Sequence, residues 1–454
     1  MRQFLRQIEQ AGQLTRVAVK VDPCLELATI VDQVCKRRGG GPALLFERVE
    51  GTQLAVAANL FGAEDRVSLA LGGERLDRLV ARFAADLRDC ATCEPRQALA
   101  RLTSMPSALS TLASQPEWQR DGRRVDSLMS LPMLTAWPGD GGAYLTLAQI
   151  YTRHPEGGPL NCGMYRVQIH DGTTATIRCR QGSGADLHLQ AWWERGLAMP
   201  VAIALGGPPM LTWAAGIPLP EGVDEISFCG YLSGRPLCMA GCDGSDLQVP
   251  ASAEIVIEGT IAPGAVRPEG PFGNHTGGYD AVAAAPEVKV QSVGLRRNAI
   301  CPWTLVGPPP MENIQLARVT AGLFLPVVQM VVPSVRALYL PAEGIYHRAA
   351  LITVDRSEDR SFAELARQLW GTLLLNGARL LVVGVDDHDP ADPKAVFWRL
   401  LNRVDWARDL LVVDGKLAID ARRLPVGGPV CADPAILARV MARWDDYRID
   451  NARQ

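Results

Sequence analysis

No stretch of the 454-residue sequence approaches the roughly eighteen consecutive apolar positions that a membrane-spanning helix needs, so no span is expected. Basic excess is missing too: 46 Lys and Arg face 49 Asp and Glu, for a formal net charge of -3. A chain so balanced has no broad cationic face for a phosphate backbone, and nucleic acid is not expected as a partner. Met1–Gln10 places apolar residues at 4, 5 and 8, the spacing of an amphipathic surface helix. It has none of the continuous apolar core of a signal peptide, and a cytoplasmic location is expected. The eleven cysteines are scattered and odd in number, which argues against a disulfide framework. Cys90-Ala91-Thr92-Cys93 and the pair Cys238 and Cys242 lack a second cysteine pair or a histidine at finger-like spacing, so reduced thiols are expected rather than structural zinc. GxSxG, HExxH, P-loop and strand-to-helix GxGxxG patterns are all missing, which removes the anchors for serine hydrolysis, zinc proteolysis and common nucleotide binding. There is no internal repeat and no low-complexity tract.

What is present describes a globular chain with sizeable cores, 48% hydrophobic and 21% charged, long enough for two to four domains. The first hundred residues alternate strand and helix patterns: strands at Leu14–Val19, Ala43–Phe46 and Leu54–Asn59, helices at Leu25–Lys36 and Leu76–Leu87. From Leu145 to Leu305 the chain turns β-rich with frequent Gly and Pro. A hairpin is expected from Met164–His170 and Thr174–Cys179 about a two-residue Asp171-Gly172 turn. Further strands are expected at Val201–Leu205, Ala253–Ile261, Val288–Val293 and Ile300–Leu305, together an antiparallel barrel or sandwich. After about residue 312 the alternation returns. Val327–Val332, Ala337–Leu340, Leu380–Val385 and Leu410–Val413 read as strands, and Ser361–Leu375, Ala395–Val404 and Pro434–Tyr447 as helices.

One tract stands out, running from Arg267 through Pro268, Glu269, Gly270, Pro271, Phe272, Gly273, Asn274, His275, Thr276, Gly277 and Gly278 to Tyr279. Two prolines and four glycines forbid a helix, yet Glu, His, Thr, Tyr and Phe make it too functional for a linker. Glycine permits close backbone approach and proline fixes it, which suits the wall of a binding site.

Other polar groups in the β-rich region sit beside glycine. Asn161-Cys162-Gly163-Met164-Tyr165-Arg166 leads into the hairpin, and Gly163 must mark a bend if Asn161 and Arg166 share a site. Arg178, Cys179 and Arg180 precede Gln181-Gly182-Ser183-Gly184, a combination able to hold a phosphate through guanidinium forks and backbone N–H groups. Solvated arginines on a sheet edge would look the same. His188 opens an amphipathic helix and Glu225 lies in a helix's first turn; with Asn161 they form a plausible hard N/O metal set, although their spacing alone proves nothing.

Asn161–Arg166, the hairpin through Gly184, Pro200–Pro209, Pro250–Gly259 and Glu269–Tyr279 together resemble the UbiD family of prenylated-FMN-dependent decarboxylases. The same order continues through Tyr339–Gly344 and Arg403-Val404-Asp405. The resemblance implies an α+β multidomain fold in three parts: an N-terminal α/β domain (1–112), a split β-barrel, flavin reductase-like, cofactor-binding domain (113–311) and a C-terminal α/β oligomerisation domain (312–454). It implies prenylated FMN, a divalent metal such as Mn2+ and a K+ ion as cofactors. It also implies a flavin prenyltransferase as supplier and a homodimer or homohexamer. Asn161, His188 and Glu225 match metal-binding positions. Asn161, Met164, Tyr165, Arg166, Arg178, Cys179, Arg180, Ser183, Gly184, Glu225 and Arg379 match cofactor-contacting ones. Leu325, Pro326 and Phe324 match a position near the substrate.

The family's catalytic set is an arginine between two carboxylates, matched here by Arg166 and Glu269. The second carboxylate position is Asn274, and an amide cannot cycle a proton near neutral pH. Three readings follow: His275, or a water held by Asn274 and Glu269, supplies the proton; the substrate's own acidic group assists; or decarboxylation is lost while flavin binding or an assembly role is kept. An oxidoreductase using unmodified FMN is a further rival.

Overall fold

The computed structural model describes residues 1–90, 92, 94–113, 115–424, 430 and 432–447. Cys93 of the CxxC pattern lies outside them, while Cys238 and Cys242 are both free thiols. The helix Asn313–Val331 alone among the described helices is long and apolar enough to cross a bilayer, and Ala317, Val319, Leu323, Phe324, Val327 and Val328 are buried within the protein.

Three of the five sheets among the described residues organise the chain. The first takes strands in the order Leu14–Val21, Ala43–Val49, Ala55–Ala58 and Ile300–Trp303. The last of these, expected with the β-rich region, instead pairs in parallel with Ala55–Ala58. Its residues Cys301 and Trp303 are buried, and that apolar strand completes the core under the amino-terminal sheet.

The second sheet is antiparallel and ten-stranded, ordered Ala143–Leu145, Val167–Ile169, Thr174–Ile177, Ala283–Leu295, Ala253–Ile261, Met199–Gly206, Gln149–Thr152 and Asn161–Met164. Arg123–Val125 and Val266–Glu269 pair with the long Ala283–Leu295 strand as well. The chain steps from one end of this order to the other twice, through the short links after Leu145 and after Met164. A link of two residues spans on the order of 10 Å. The two edges therefore meet, and the sheet curls into a barrel split along one seam.

The hairpin differs from expectation in two ways. Its first strand is broken at Tyr165-Arg166 rather than bent at Gly163: Asn161–Met164 pairs with Gln149–Thr152, while Val167–Ile169 pairs with Thr174–Ile177. The turn is also longer than Asp171-Gly172, since His170 N–H reaches Thr174 O at 3.0 Å. Asp171 Oδ1 accepts from Thr173 N–H at 2.9 Å, so aspartate's habit of bonding two residues ahead builds the wider loop.

The third sheet, ordered Val335–Tyr339, Ala349–Val354, Leu380–Val385, Lys416–Ala421 and Leu410–Val413, has a parallel centre and antiparallel edges. Val327–Val332, expected as a strand, belongs instead almost wholly to the helix Asn313–Val331. Its β-branched run is overruled by packing: Leu323, Phe324 and Val327 enter the large core shared by the first and second sheets, and Ala321 and Val328 enter the core of the third. Each fully buried Leu, Val or Phe contributes about 1.5–3 kcal/mol, so this helix fastens the two parts together. Phe324 is wholly buried in that core and does not line a cleft.

Candidate active site

Arg166 occupies the seam, in the two-residue crossing between the barrel's edges. Its Nε and Nη2 donate to Glu269 Oε1 and Oε2 at 2.8 and 2.9 Å, the bidentate fork of a guanidinium on a carboxylate. Its Nη1 donates to Asp280 Oδ2 at 2.5 Å, and its Cζ lies 4.3 Å from the centroid of the Phe272 ring. Glu269 ends the strand Val266–Glu269 and has no exposed side-chain surface; Arg178 Nε lies 4.0 Å from its Oε2.

The tract that stood out in the sequence folds as a strand end followed by a small hairpin, Phe272-Gly273 against Tyr279-Asp280. Phe272 and Asp280 are direct cross-strand partners and so share a face, which is why both reach Arg166. The loop is pinned from below. Gln168 Oε1 accepts from Gly270 N–H at 2.9 Å, Asp140 Oδ1 from Gly273 N–H at 2.7 Å, and the Tyr144 hydroxyl donates to Pro271 O at 3.1 Å. A side chain at Gly141 would meet Gly270 O at 2.1 Å, so only glycine admits this approach.

Asn274 reaches Arg166 only through Asp280. Its Nδ2 donates to Asp280 Oδ1 at 2.6 Å, while its Oδ1 accepts from Thr276 N–H at 2.8 Å and from the Thr276 hydroxyl at 2.5 Å. His275 turns away. Its Nδ1 faces Gly307 O at 2.9 Å, its Nε2 faces Asn313 Nδ2 at 3.1 Å, and its ring meets Tyr346 edge-on at 5.6 Å. A carbonyl at Nδ1 requires the proton there, and an amide donor at Nε2 requires a lone pair; both nitrogens are spent in the neutral form. Burial also holds its pKa below the usual 6.5. The geometry thus gives His275 an ordering role and does not support it as the proton source.

A second group of expected residues gathers at the other end of Asn161–Met164. Asn161 Nδ2 and His188 Nδ1 both contact the Thr152 hydroxyl, at 3.3 and 3.0 Å, leaving Asn161 Oδ1 and His188 Nε2 for other partners. Glu225 Oε2 accepts from Cys162 N–H at 3.0 Å, next to Asn161 in the chain. It begins the helix Glu225–Ser233, capped by Asp224 on Ser227 N–H and ended by Gly234 in the left-handed region. Burial pushes the Glu225 carboxyl up to about 7, and burial with the neighbouring His154 pushes His188 down to about 4. A neutral imidazole, an amide oxygen and a carboxyl short of compensating charge fit a divalent cation. Among the described residues no three His, Cys, Asp or Glu side chains gather to hold a metal, so such a site depends on the asparagine.

The helix Gly184–Glu194 begins beside this group. His188 is one turn from Gly184 on the same face, and a side chain at Gly184 would meet Asn161 Oδ1 at 2.1 Å. Ser183 makes no side-chain cap, so this helix start, which Arg180 precedes by three residues, keeps backbone donors for an anion. Met164 and Tyr165 line the strand end between the two groups, and burial raises the Tyr165 hydroxyl and the Cys179 thiol each to about 12, keeping both neutral. The residues present fit a flavin phosphate. Arg379 is set apart: it is exposed, with its N–H on Arg348 O, and among the described residues no hydrogen bond or ion pair ties it to the barrel. The third sheet's unit instead contributes Tyr346 and His347, the latter within electrostatic range of Arg180 and His275. They follow Ile345, and Ile345 and Tyr346 hold positive φ of 45° and 68°. Asp280, Gln168, Asp140, Tyr144 and His347 are the site residues that sequence reasoning missed.

Three family models match the chain, all described as 3-octaprenyl-4-hydroxybenzoate carboxy-lyase: the N-terminal domain at residues 5–83, the Rift-related domain at 110–309 and the C-terminal domain at 314–424. An uncharacterized protein of Archaeoglobus fulgidus is 33% identical over 443 residues, covering 93% of this chain and 91% of that one. Another from Aquifex aeolicus is 34% identical over 424 residues, covering 92% and 87%. Among solved structures, an evolved dimeric form of the UbiD-class enzyme HmfF from Pelotomaculum thermopropionicum in complex with prFMN is similar, at 26% identity and a TM-score of 0.79 over 96% of this chain and 97% of that one. Sedimentibacter hydroxybenzoicus vanillic acid decarboxylase in closed form shares the fold, with 24% identity and a TM-score of 0.84 over 99% and 98%.

Proposed function

The chain belongs to the UbiD family, and from that membership we propose that it is a prenylated-FMN-dependent carboxy-lyase catalysing reversible, non-oxidative decarboxylation of an aromatic or α,β-unsaturated carboxylic acid. The observation that carries the reading is the Arg166–Glu269 fork at the barrel seam, with Glu269 fully withdrawn from solvent. A cytoplasmic homo-oligomer is part of the proposal, as is delivery of the cofactor by a flavin prenyltransferase.

Bound prenylated flavin supplies the electron sink that C–C cleavage requires, and the protein supplies position and charge. Arg178, Arg180, Ser183 and the first turn at Gly184 would hold the cofactor's phosphate, and Asn161, His188 and Glu225 would hold a divalent cation. The cation's charge lets an anionic phosphate sit near a carboxylate. Three of the five Arg166 N–H donors are committed to Glu269 and Asp280, and the remaining two meet the substrate carboxylate. Glu269 fixes the guanidinium plane, so the scissile bond is presented in one orientation. Loss of CO2 leaves a carbon that takes up one proton, and an acid at the seam supplies it.

Co-expression with a flavin prenyltransferase, an absorbance spectrum and CO2 release from a panel of benzoic, heteroaromatic and cinnamic acids test the reading. A prenylated-flavin spectrum with CO2 release is expected. Glu269→Gln should keep the spectrum and lose turnover by about 10²–10⁴-fold. Retention of plain FMN with hydride chemistry would sink the proposal.

A further inference from the structure

Arg166 stands between two carboxylates of opposite accessibility. Glu269 has no exposed side-chain surface, whereas 44% of the Asp280 side chain is open. A buried carboxylate locked side-on to a guanidinium has no route of its own by which to exchange a proton with water. Asp280 touches the same guanidinium and also reaches solvent. Its other oxygen receives the Asn274 amide, whose orientation is fixed because Asn274 Oδ1 is occupied by the Thr276 N–H and hydroxyl. The NH2 end of Asn274 must therefore face Asp280, which makes position 274 a donor to a carboxylate.

We propose that Asp280 is the acid through which the site takes up the proton that replaces CO2, and that Asn274 is a positioning residue that aims it. The proposal rests on the decarboxylase reading above. In the forward direction the Asp280 O–H bond breaks, a C–H bond forms at the carbon that has lost CO2, and the electron pair stays on the Asp280 oxygen against Arg166. Water then returns a proton to Asp280, and the sum is carboxylate plus one proton giving CO2 and the protonated product. The charged groups facing this acid are Arg166 directly and, beyond it, Glu269 and Arg178.

Two measurements test it. In prenylated-flavin-loaded protein, Asp280→Asn should lower kcat by at least about 10²-fold with KM changed less than about threefold and the flavin spectrum kept. The exchange variant carrying Asn274→Asp with Asp280→Asn, which returns an acid to the same hydrogen-bonded pair, should recover about tenfold or more of that loss. An Asp280→Asn protein within threefold of the parent in kcat, or an exchange variant with no recovery, overturns the proposal. Independently of turnover, the side-chain amide NMR signal of Asn274 in the unloaded protein should shift in Asp280→Asn, because that amide donates to Asp280. An unmoved Asn274 signal overturns it. A parent that releases CO2 from no acid, with the Asn274 shift present, counts against the decarboxylase reading and leaves the Asn274–Asp280 pair standing.

Discussion

At the scale of residues, the site is a charge-balancing problem solved around one guanidinium. Arg166 is 14% exposed and meets Glu269, Asp280 and the face of Phe272. Removing the cation leaves Glu269 buried beside Arg178 alone, and uncompensated buried charges cost about 3–5 kcal/mol. Arg166→Leu should therefore lower the unfolding free energy by that order, read from urea denaturation at pH 7. His275 gives a pH-dependent prediction. Burial depresses its folded pKa below 6.5, so the unfolded chain binds the proton more readily. Its contribution is complete above about pH 6.5 and is lost as pH falls through the folded value. The urea midpoint should thus drop between pH 7 and pH 5 less steeply in His275→Asn than in the parent. Arg166, Glu269, Asn274 and His275 were all legible as site residues from sequence, but Asp280 was not. The Gly/Pro-rich composition that marked the tract ends at Tyr279, and the cross-strand pairing with Phe272 that brings Asp280 to Arg166 has no compositional signature.

Among elements, the helix Gly184–Glu194 shows how a backbone approach becomes a binding surface. Gly184→Ala places a methyl group where Asn161 Oδ1 now sits. It should weaken FMN binding by roughly tenfold or more, about 1.4 kcal/mol, while leaving the melting temperature within a few degrees. Titration of riboflavin beside FMN checks that the loss belongs to the phosphate. The strands Ala253–Ile261, Leu380–Val385 and Leu410–Val413 stand where alternation and apolar runs place them. The run Val327–Val332 misleads because β-branched composition reports a tendency, and a helix buried on two sides overrides it. The break at Tyr165-Arg166 is equally silent in sequence: nothing local distinguishes a strand that ends from one that continues when the partner changes from Gln149–Thr152 to Thr174–Ile177.

For the whole molecule, the sheets are not strung out in chain order. Ile300–Trp303 returns to the amino-terminal sheet after the barrel is complete, and the helix Asn313–Val331 enters two cores. Such long-range placements are invisible to windowed reading, so in sequence the strand reads as part of the β-rich region. They also make the parts cooperative. Phe324→Ala should destabilise by about 3–5 kcal/mol and lower a single calorimetric transition rather than split it in two. The crossing at Tyr165-Arg166 bears, finally, on how such a chain can diversify over generations. An inserted or deleted codon there would shift the pairing of both barrel edges at once, so the guanidinium is inherited together with the architecture. The Phe272–Asp280 hairpin is fastened by a few side-chain bonds to its backbone and is free to exchange residues. A substitution on the hairpin can therefore trade one acid for another without altering the length of the crossing that carries the arginine.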